Sequence, residues 1–398
     1  MKNFSLNLYL EINDLNYIFF VGRIDEQKNC EIIYEFESPL EGIKNKRISD
    51  LEKVFNSIKK NLFTIEQQFS HTFTEIVLIL DNFETSSINL TGFKKLNGSQ
   101  VLRENIIYIL NKLKSNINEV ELNKTIIHIF NSKFCLDNKQ IDNLPIGLFG
   151  DFYTHELSFI LMNKNDYKNI KSIFDRCNLN IKKIFIKSFI KGVAISNKFK
   201  NIETFFQIII NENNSKILYF ENNSLKSEQS FNFGSEIIIN DISKITLLQK
   251  DMIKTILKKV EFKNFIKEDE LIEKNLFKDK IYRKIKKKLI YDIAFARIRE
   301  FAELILYKNT NYIHYNATSR NIFLELGSTL SFKSFLEIYK TTFSNNGRST
   351  INFVKILPNE STINTANSLT DYGWKKEAIP TSISKKSIIA RFFEAIFN

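Results

Sequence analysis

The chain opens with two apolar runs, Leu6-Asn7-Leu8-Tyr9-Leu10-Glu11-Ile12 and Tyr17-Ile18-Phe19-Phe20-Val21-Gly22, which are separated by Asn13-Asp14. Part of the first run alternates between apolar and polar residues, as a half-buried strand does, and Asn-Asp is typical of a turn. The two runs therefore predict a β-hairpin. A third strand and an amphipathic helix capped by Ser49-Asp50 are expected to follow, and Glu75 to Leu80 is expected to form a short buried strand. Three strands, a helix and a further strand predict an α/β layer.

The rest of the chain repeats this pattern after an inserted segment. We divide it into a first half (1–82 and 166–197), an inserted small α+β segment (83–165), a second half (198–243 and 308–377), a charged helical segment (244–307), a linker (378–384) and a terminal helix (385–398). Each half opens with a β-hairpin. The repeat predicts an α/β fold built from two ribonuclease-H-like halves, the architecture of actin-type ATPases.

Four local predictions accompany this division. Asp166 is expected to cap a helix, and a long helical region is expected from about Ile245 to Tyr307. Tyr312 to Tyr315 is expected to form a strand because aromatic residues favour strands. After Pro358 the sequence is rich in Ser, Thr and Asn, and no helix is predicted there.

Composition excludes several classes of protein. The chain has 398 residues, of which 43 % are hydrophobic and 26 % charged, so wholesale disorder is excluded. Its three cysteines are widely spaced, which excludes a disulfide framework and indicates a reducing compartment. No apolar run reaches about 18 residues, the length that a membrane-spanning helix needs. The N-terminus does not resemble a secretory signal, and we expect a cytosolic protein.

The net charge of +12 leaves the partner open. Lys244 to Glu300 contains 17 basic and 9 acidic side chains, which could attract an acidic partner or could reflect a lysine-rich composition. Nucleic-acid binding is not favoured, because the sequence contains no zinc-ligand spacing, aromatic RNA-binding motif or helix-turn-helix signal. The four histidines have no ligand spacing, and no catalytic or metal-binding residues are predicted.

The terminal segment is strongly amphipathic. At 100° per residue, six apolar side chains share one half of the helical wheel: Ile388, Ile389, Phe392, Phe393, Ile396 and Phe397. The helix is too short to span a bilayer but long enough to lie in its interface. Lys385 and Lys386 precede it and could contact anionic headgroups. We expect membrane binding; the alternative is a helix packed on the protein's own core.

Two motifs stand in order in the middle of the chain, Phe134-Cys135-Leu136-Asp137 and Pro145-Ile146-Gly147-Leu148-Phe149-Gly150. They resemble motifs of the bacterial cell-division protein family FtsA, the actin-like membrane tethers of the FtsZ ring, in which they close the inserted subdomain called 1C or SHS2. Asn169 to Leu179, Phe233 to Ile242 and Ile293 to Glu303 are similar to later family motifs. The amphipathic end is similar to the family's membrane-targeting sequence.

The phosphate loops depart from the family pattern. The resemblance implies ATP as the cofactor, bound through glycine-rich loops at Asn13 and Asp14, at Asn213, Asn214 and Ser215, and at Asn316 and Ala317. None of these positions is a glycine, although close approach of backbone N–H groups to a phosphate commonly requires one. We therefore expect nucleotide binding to be lost or much weakened, and the protein not to be an enzyme.

The resemblance also implies the partners. In the family, subdomain 2B, here 244–307, binds the C-terminal tail of FtsZ, and we assign this contact to Arg283, Lys287, Arg297 and Glu300. An intrahelical ion pair between Arg297 and Glu300 is an equally acceptable interpretation. Self-association, other division proteins bound through 1C, an anionic membrane surface and a location on the cytoplasmic face of the inner membrane at the division site are also implied.

Three other interpretations remain open at the level of sequence. The first is an actin-like assembly protein of a pilus or secretion system, a group that usually lacks the amphipathic end. The second is a sugar-kinase-like enzyme that binds ATP. The third is nucleic-acid binding through the basic segment, which predicts a steep loss of affinity with salt.

Overall fold

The computed structural model describes residues 4–81, 83–260, 267–277, 282–315, 321–327, 333–344 and 349–378. The strands are β1 (Ser5–Ile12), β2 (Asn16–Ile24), β3 (Cys30–Pro39), β4 (Ile43–Lys44), β5 (Arg47–Ile48), β6 (Glu75–Leu80), β7 (Thr85–Lys95), β8 (Lys124–Leu136), β9 (Lys139–Ile141), β10 (Phe152–Asn163), β11 (Asn180–Ile186), β12 (Phe205–Ile210), β13 (Ser215–Glu221), β14 (Ser224–Phe231), β15 (Asn321–Leu326) and β16 (Thr350–Val354). The helices are α1 (Leu51–Phe69), α2 (Arg103–Val120), α3 (Lys164–Arg176), α4 (Lys187–Lys198), α5 (Glu236–Thr246), α6 (Lys250–Lys259), α7 (Lys287–Ala302), α8 (Thr310–Tyr315), α9 (Lys333–Phe343) and α10 (Asn359–Tyr372).

The chain divides into two compact units. Unit 1 comprises the described residues of Met1–Lys198, Asn222–Ser227 and Pro358–Asn398, and unit 2 comprises those of Phe199–Glu221 and Glu228–Leu357. No helix in the described ranges combines the length and the apolar character that crossing a membrane requires.

The main sheet of unit 1 has five strands in the order β11-β6-β1-β2-β3. β1 and β2 pair antiparallel from Ser5↔Ile24 to Ile12↔Tyr17, which confirms the predicted hairpin. β6 runs parallel to both β1 and β11. α1 lies against this layer through its buried face, and the Asp50 side chain caps the helix by accepting a hydrogen bond from the Lys53 N–H. The carboxyl ends of β1, β6 and β11 consequently meet at one edge of the sheet.

The inserted segment forms a second sheet in unit 1, with the order β7-β10-β8-β9 and antiparallel pairing throughout. α2 covers one face of it. Gly92 permits this approach, because a Cβ at that position would lie 2.4 Å from the Ile109 side chain. The segment therefore has the α+β character predicted for 83–165, while its identity with subdomain 1C stays a prediction.

Unit 2 repeats the arrangement of unit 1. Its sheet has the order β14-β13-β12-β15-β16, in which β12 and β13 form an antiparallel hairpin and β12, β15 and β16 run parallel. A β-hairpin followed by parallel strands therefore occurs in both units, and the predicted pair of α/β halves is confirmed.

Two predicted elements of the second half are wrong. Residues 310–315 form helix α8 rather than a strand, because Asn309 Oδ1 accepts hydrogen bonds from the N–H groups of Asn311 and Tyr312 and so caps a helix. The long helical region is also interrupted. α6, a 3₁₀ turn (Lys274–Phe277), α7 and a π-helical turn (Glu303–Tyr307) occupy it in that order.

The polar stretch after Pro358 forms helix α10, which belongs to unit 1 and not to the second half as predicted. The helix buries Ile363, Ala366 and Leu369 along one face. Tyr9 Oη, in the main sheet of unit 1, also donates a hydrogen bond of 2.7 Å to Asn367 Oδ1. Burial of this face overrides a composition that favours helices weakly.

Asp166 does not cap α3 as predicted. Asn163 is the cap, and its side chain accepts hydrogen bonds from the N–H groups of Asn165 and Asp166. The buried Asp166 carboxylate instead accepts from Arg47 Nε and from the Ile48 N–H at 3.3 Å, and so joins the β4–β5 hairpin to α3.

Candidate functional site

A buried ion cluster occupies the edge of unit 1 where the parallel strands end. Glu11 lies at the end of β1, Asp81 directly follows β6, and Lys187 opens α4 directly after β11. Lys187 Nζ lies 2.5 Å from Glu11 Oε1 and 3.8 Å from Asp81 Oδ2. Glu11 is only 1 % exposed, and its other carboxylate oxygen is buried. The Lys187 ammonium therefore places a positive charge beside two carboxylates and compensates the buried charge of Glu11.

Three N–H groups of the turn between β1 and β2 donate hydrogen bonds within the turn itself. The Leu15 and Asn16 N–H groups donate to Asn13 Oδ1 at 2.9 and 2.8 Å, and the Asn13 N–H donates to the Asn16 carbonyl. This Asx turn leaves Asp14 exposed at its tip. A phosphate cradle needs N–H groups that point at the ligand, whereas these point into the turn.

The corresponding turn of unit 2, between β12 and β13, is also closed. The Asn211 N–H donates to the Asn214 carbonyl at 2.9 Å, and the two side chains form a second hydrogen bond of the same length. The buried Ser215 hydroxyl donates to the Phe233 carbonyl, and Asn213 is exposed at the tip.

This second turn also occupies the N-terminus of α5. The Ser235 and Glu236 N–H groups donate to the Asn211 and Glu212 carbonyls at 2.9 Å. Gly234 allows the contact, because a Cβ there would lie 2.4 Å from the Asn211 carbonyl oxygen. A helix N-terminus is a ready anion-binding site, but at this one the protein's own carbonyl oxygens accept from those two N–H groups.

A groove between α5 and α7 in unit 2 is the best candidate for a partner site. Its lining is Asp241, Lys244, Ile245, Asp292, Ile293, Ala296, Arg297 and Glu300. Arg297 Nε donates to Asp241 Oδ2 at 2.8 Å, and its terminal nitrogens also bind Asp241 and Glu300. The groove thus combines apolar side chains with two cationic and three acidic ones. A partner segment with apolar side chains and a carboxylate that pairs with Arg297 would complement the apolar and cationic part of this lining.

The cell division protein FtsA of Buchnera aphidicola subsp. Schizaphis graminum is 22 % identical to the chain over 244 residues, which are 61 % of this chain and 57 % of that protein. FtsA of Buchnera aphidicola subsp. Baizongia pistaciae is 24 % identical over 239 residues, which are 59 % of this chain and 55 % of that protein. The chain is a divergent FtsA-like protein with the actin-like fold. It spans less than two thirds of the length of either relative.

A solved structure gives the same fold for this FtsA-like chain. A structure described as a PilM–PilN type IV pilus biogenesis complex contains a chain that superposes with a TM-score of 0.54 at 9 % identity, and the superposition covers 89 % of both chains. At that identity the likeness concerns the fold alone. No protein-family model matches the sequence.

Of the four partner residues predicted from the FtsA resemblance, two line the groove and two lie elsewhere. Arg297 and Glu300 line the groove and form the intrahelical ion pair that was the other interpretation. Arg283 donates to the Thr246 and Leu247 carbonyls at 3.4 and 3.3 Å, at the end of α5. Lys287 pairs with Glu270 at 2.6 Å, outside the groove.

Sequence reasoning missed the apolar lining of the groove. Ile245 and Ile293 recur at helical spacing with core residues such as Ile242 and Ile290, so their partial exposure had no sequence signal. It also missed Lys187, although a signal existed. Lys187 follows a predicted strand, as Asp81 does, and parallel strands end at a common edge.

Two sets of predicted FtsA-type residues lie outside the described residues. Asn316 and Ala317 are one set, and the eight membrane-binding positions from Lys385 to Phe397 are the other. The strand predicted to lead into Asn316 is helix α8, whereas the strand parallel to β12 is β15, which ends at Leu326. Gly327 directly follows this strand, and its N–H donates to the Ile210 carbonyl at 2.8 Å.

The inserted segment presents an exposed apolar surface, which we call the insert surface. The Val101 N–H donates to the Leu148 carbonyl and the Gly147 N–H donates to the Val101 carbonyl, both at 2.9 Å, so two segments run side by side. Exposed apolar side chains on these segments are Leu102, Ile146, Leu148 and Phe149, the last with 69 % of its surface accessible. A cluster of this kind is typical of a protein–protein contact.

Proposed function

We propose that this protein is a non-catalytic scaffold of cell division. It would bind the C-terminal tail of FtsZ through the α5–α7 groove, self-associate and bind other division proteins through the insert surface, and attach to the cytoplasmic face of the inner membrane at the division site through its terminal segment. The observation that carries the proposal is the similarity to two FtsA proteins over some 240 residues. The groove, in which apolar side chains lie beside the Arg297 guanidinium, supports it.

Arg297 is the residue on which peptide binding should depend. Its contact with Glu300 lies partly in solvent, where an ion pair contributes little, so a peptide carboxylate can replace Glu300 at small cost. We expect Arg297→Gln to weaken binding of an FtsZ-tail peptide at least about tenfold, which corresponds to about 1.4 kcal/mol. Fluorescence anisotropy of the labelled peptide measures this.

Arg299→Gln is the matched control for Arg297→Gln. Arg299 is 67 % exposed, pairs with Glu303, and lies two residues along α7, so it faces away from the groove. Equal losses of affinity in the two variants would indicate a general charge effect and would contradict the groove assignment.

We further propose that the protein does not hydrolyse ATP. Support comes from the β1–β2 turn, in which three N–H groups donate within the turn itself, and from Lys187, which already neutralises Glu11. We expect isothermal titration calorimetry with ATP and magnesium to show no binding heat at millimolar nucleotide. A micromolar affinity that requires magnesium would contradict this proposal and would favour the sugar-kinase-like alternative.

The second candidate function is assembly of a pilus. The structural likeness to a chain of the PilM–PilN complex, which covers 89 % of this chain, is consistent with it. The two candidates differ in their expected behaviour toward lipid, because pilus assembly proteins of this fold usually lack an amphipathic end. Binding of the full chain and of a chain that ends at Ser384 to anionic vesicles therefore distinguishes the two candidates.

A further inference from the structure

The last described residues of the chain are attached to the inserted sheet. The Asn131 N–H donates to the Lys376 carbonyl at 2.6 Å, and the Ala378 N–H donates to the Ile129 carbonyl at 2.8 Å. Phe130 and Glu377 form an antiparallel bridge between these two bonds. Residues 376–378 are therefore a short added strand on β8, along the same edge that pairs with β9 farther on. We call residues 374–378 the strap.

Both ends of the strap are fixed by side chains. The Trp374 indole N–H donates to the Asn223 carbonyl at 2.8 Å, and the ring meets Phe189 edge to face. Ala378, at the other end, is 6 % exposed and belongs to the apolar cluster of the inserted sheet. An indole that is hydrogen-bonded and packed on another ring is typical of an anchoring residue.

The middle of the strap is fixed by charge. Glu377 Oε1 lies 4.0 Å from His128 Nδ1 and 3.9 Å from Lys183 Nζ, and the Glu377 side chain is 14 % exposed. Burial alone would raise the pKa of this carboxyl, but the neighbouring His128 ring and Lys183 ammonium bring the pKa below its ordinary value. A carboxylate that is buried and compensated in this way is costly to detach from its partners.

We propose that the strap is an anchor. It attaches the terminal segment to the inserted sheet, and it stays bound to β8 while the end of the chain is held at a membrane. This rests on the proposed function only in taking that membrane as the terminal segment's target. Seven peptide steps separate Ala378 from Lys385, so the terminal segment begins at most about 25 Å from the edge of β8. The point where the strap meets β8 is consequently kept within that distance of the terminal segment.

The test uses the full chain with a C-terminal hexahistidine tag, free in solution and on vesicles that contain a nickel-chelating lipid. The tag holds the end of the chain at the surface whether or not residues 385–398 bind lipid themselves. Hydrogen exchange of the Ala378 and Asn131 N–H groups is then measured. We expect slow exchange in both states, with less than about a twofold difference. Loss of protection on the vesicles would show a strap that detaches and would overturn the proposal.

Two variants test whether the strap is held by the residues named here. Trp374→Ala should speed exchange at Ala378 and Asn131 at least about tenfold, while the rest of unit 1 keeps its protection. Tyr372→Ala removes an aromatic ring that is 67 % exposed and two residues away, and it should change neither rate. Unchanged exchange in Trp374→Ala would contradict the anchoring role. Vesicles with anionic lipid and no nickel report on the proposed function separately, since failure to bind them leaves the tethered measurement intact.

Discussion

Replacing Lys187 by methionine is expected to lower the stability of the protein by about 3–5 kcal/mol, the usual loss when one partner of a buried ion pair is removed. Glu11 is 1 % exposed, and Lys187 Nζ is 2.5 Å from its carboxylate. Without the ammonium, Glu11 and the neighbouring Asp81 would be two anions at a buried edge of the sheet. Differential scanning calorimetry should show a fall in the melting temperature of unit 1 on the order of 10 °C.

A double variant separates charge from packing at this site. Glu11→Gln combined with Lys187→Met removes both charges and should recover most of the stability lost in Lys187→Met. Lys168→Met serves as the control, since Lys168 is an exposed lysine on α3 and its loss should change the free energy of unfolding by no more than about 0.5 kcal/mol. A Lys187→Met protein as stable as this control would contradict the role given to the cluster.

Ending the chain at Ser384 is expected to reduce binding to anionic vesicles to the background level. The six apolar side chains removed with the terminal segment would each contribute about 1.5–3 kcal/mol if buried in lipid. Lys385 and Lys386 would add about 1 kcal/mol each near anionic headgroups. Co-sedimentation of the full and shortened chains with vesicles measures the difference, and unchanged binding would contradict membrane attachment through this segment and favour the pilus candidate.

Point variants distinguish lipid binding through one apolar helical face from nonspecific hydrophobic binding. Phe393→Glu places a charge on the apolar half of the predicted wheel, and we expect it to abolish most of the binding. Ala390→Gln lies on the polar half and should leave binding unchanged. Equal effects of the two substitutions would contradict an amphipathic helix that lies in the membrane interface.

Much of the fold could be predicted because its strands carry a local signal. The hairpin of β1 and β2 follows from alternation and an Asn-Asp turn, and its pairing matches that prediction along the whole of β1. The elements that were missed depend on distant contacts. α10 has a composition that favours turns. It is helical because burial of Ile363, Ala366 and Leu369 on one face stabilises the helix.

The candidate sites show the same division between local and distant information. The absence of glycine at Asn13 and Asn213 is visible in the sequence, and it led to the expectation of weak nucleotide binding. The pairing of Lys187 with Glu11 joins residues 176 positions apart, and no local pattern contains it. The groove around Arg297 depends on how α5 and α7 pack, so the sequence could indicate the charged residues but not their apolar neighbours.

The Lys187 ammonium at the edge of the main sheet is a counter-ion that is covalently part of the chain, so it cannot dissociate as a bound metal ion can. Because this cation belongs to the chain itself, the charge balance around Glu11 and Asp81 does not require a dissolved metal ion, and adding a chelator should leave the melting temperature of unit 1 unchanged.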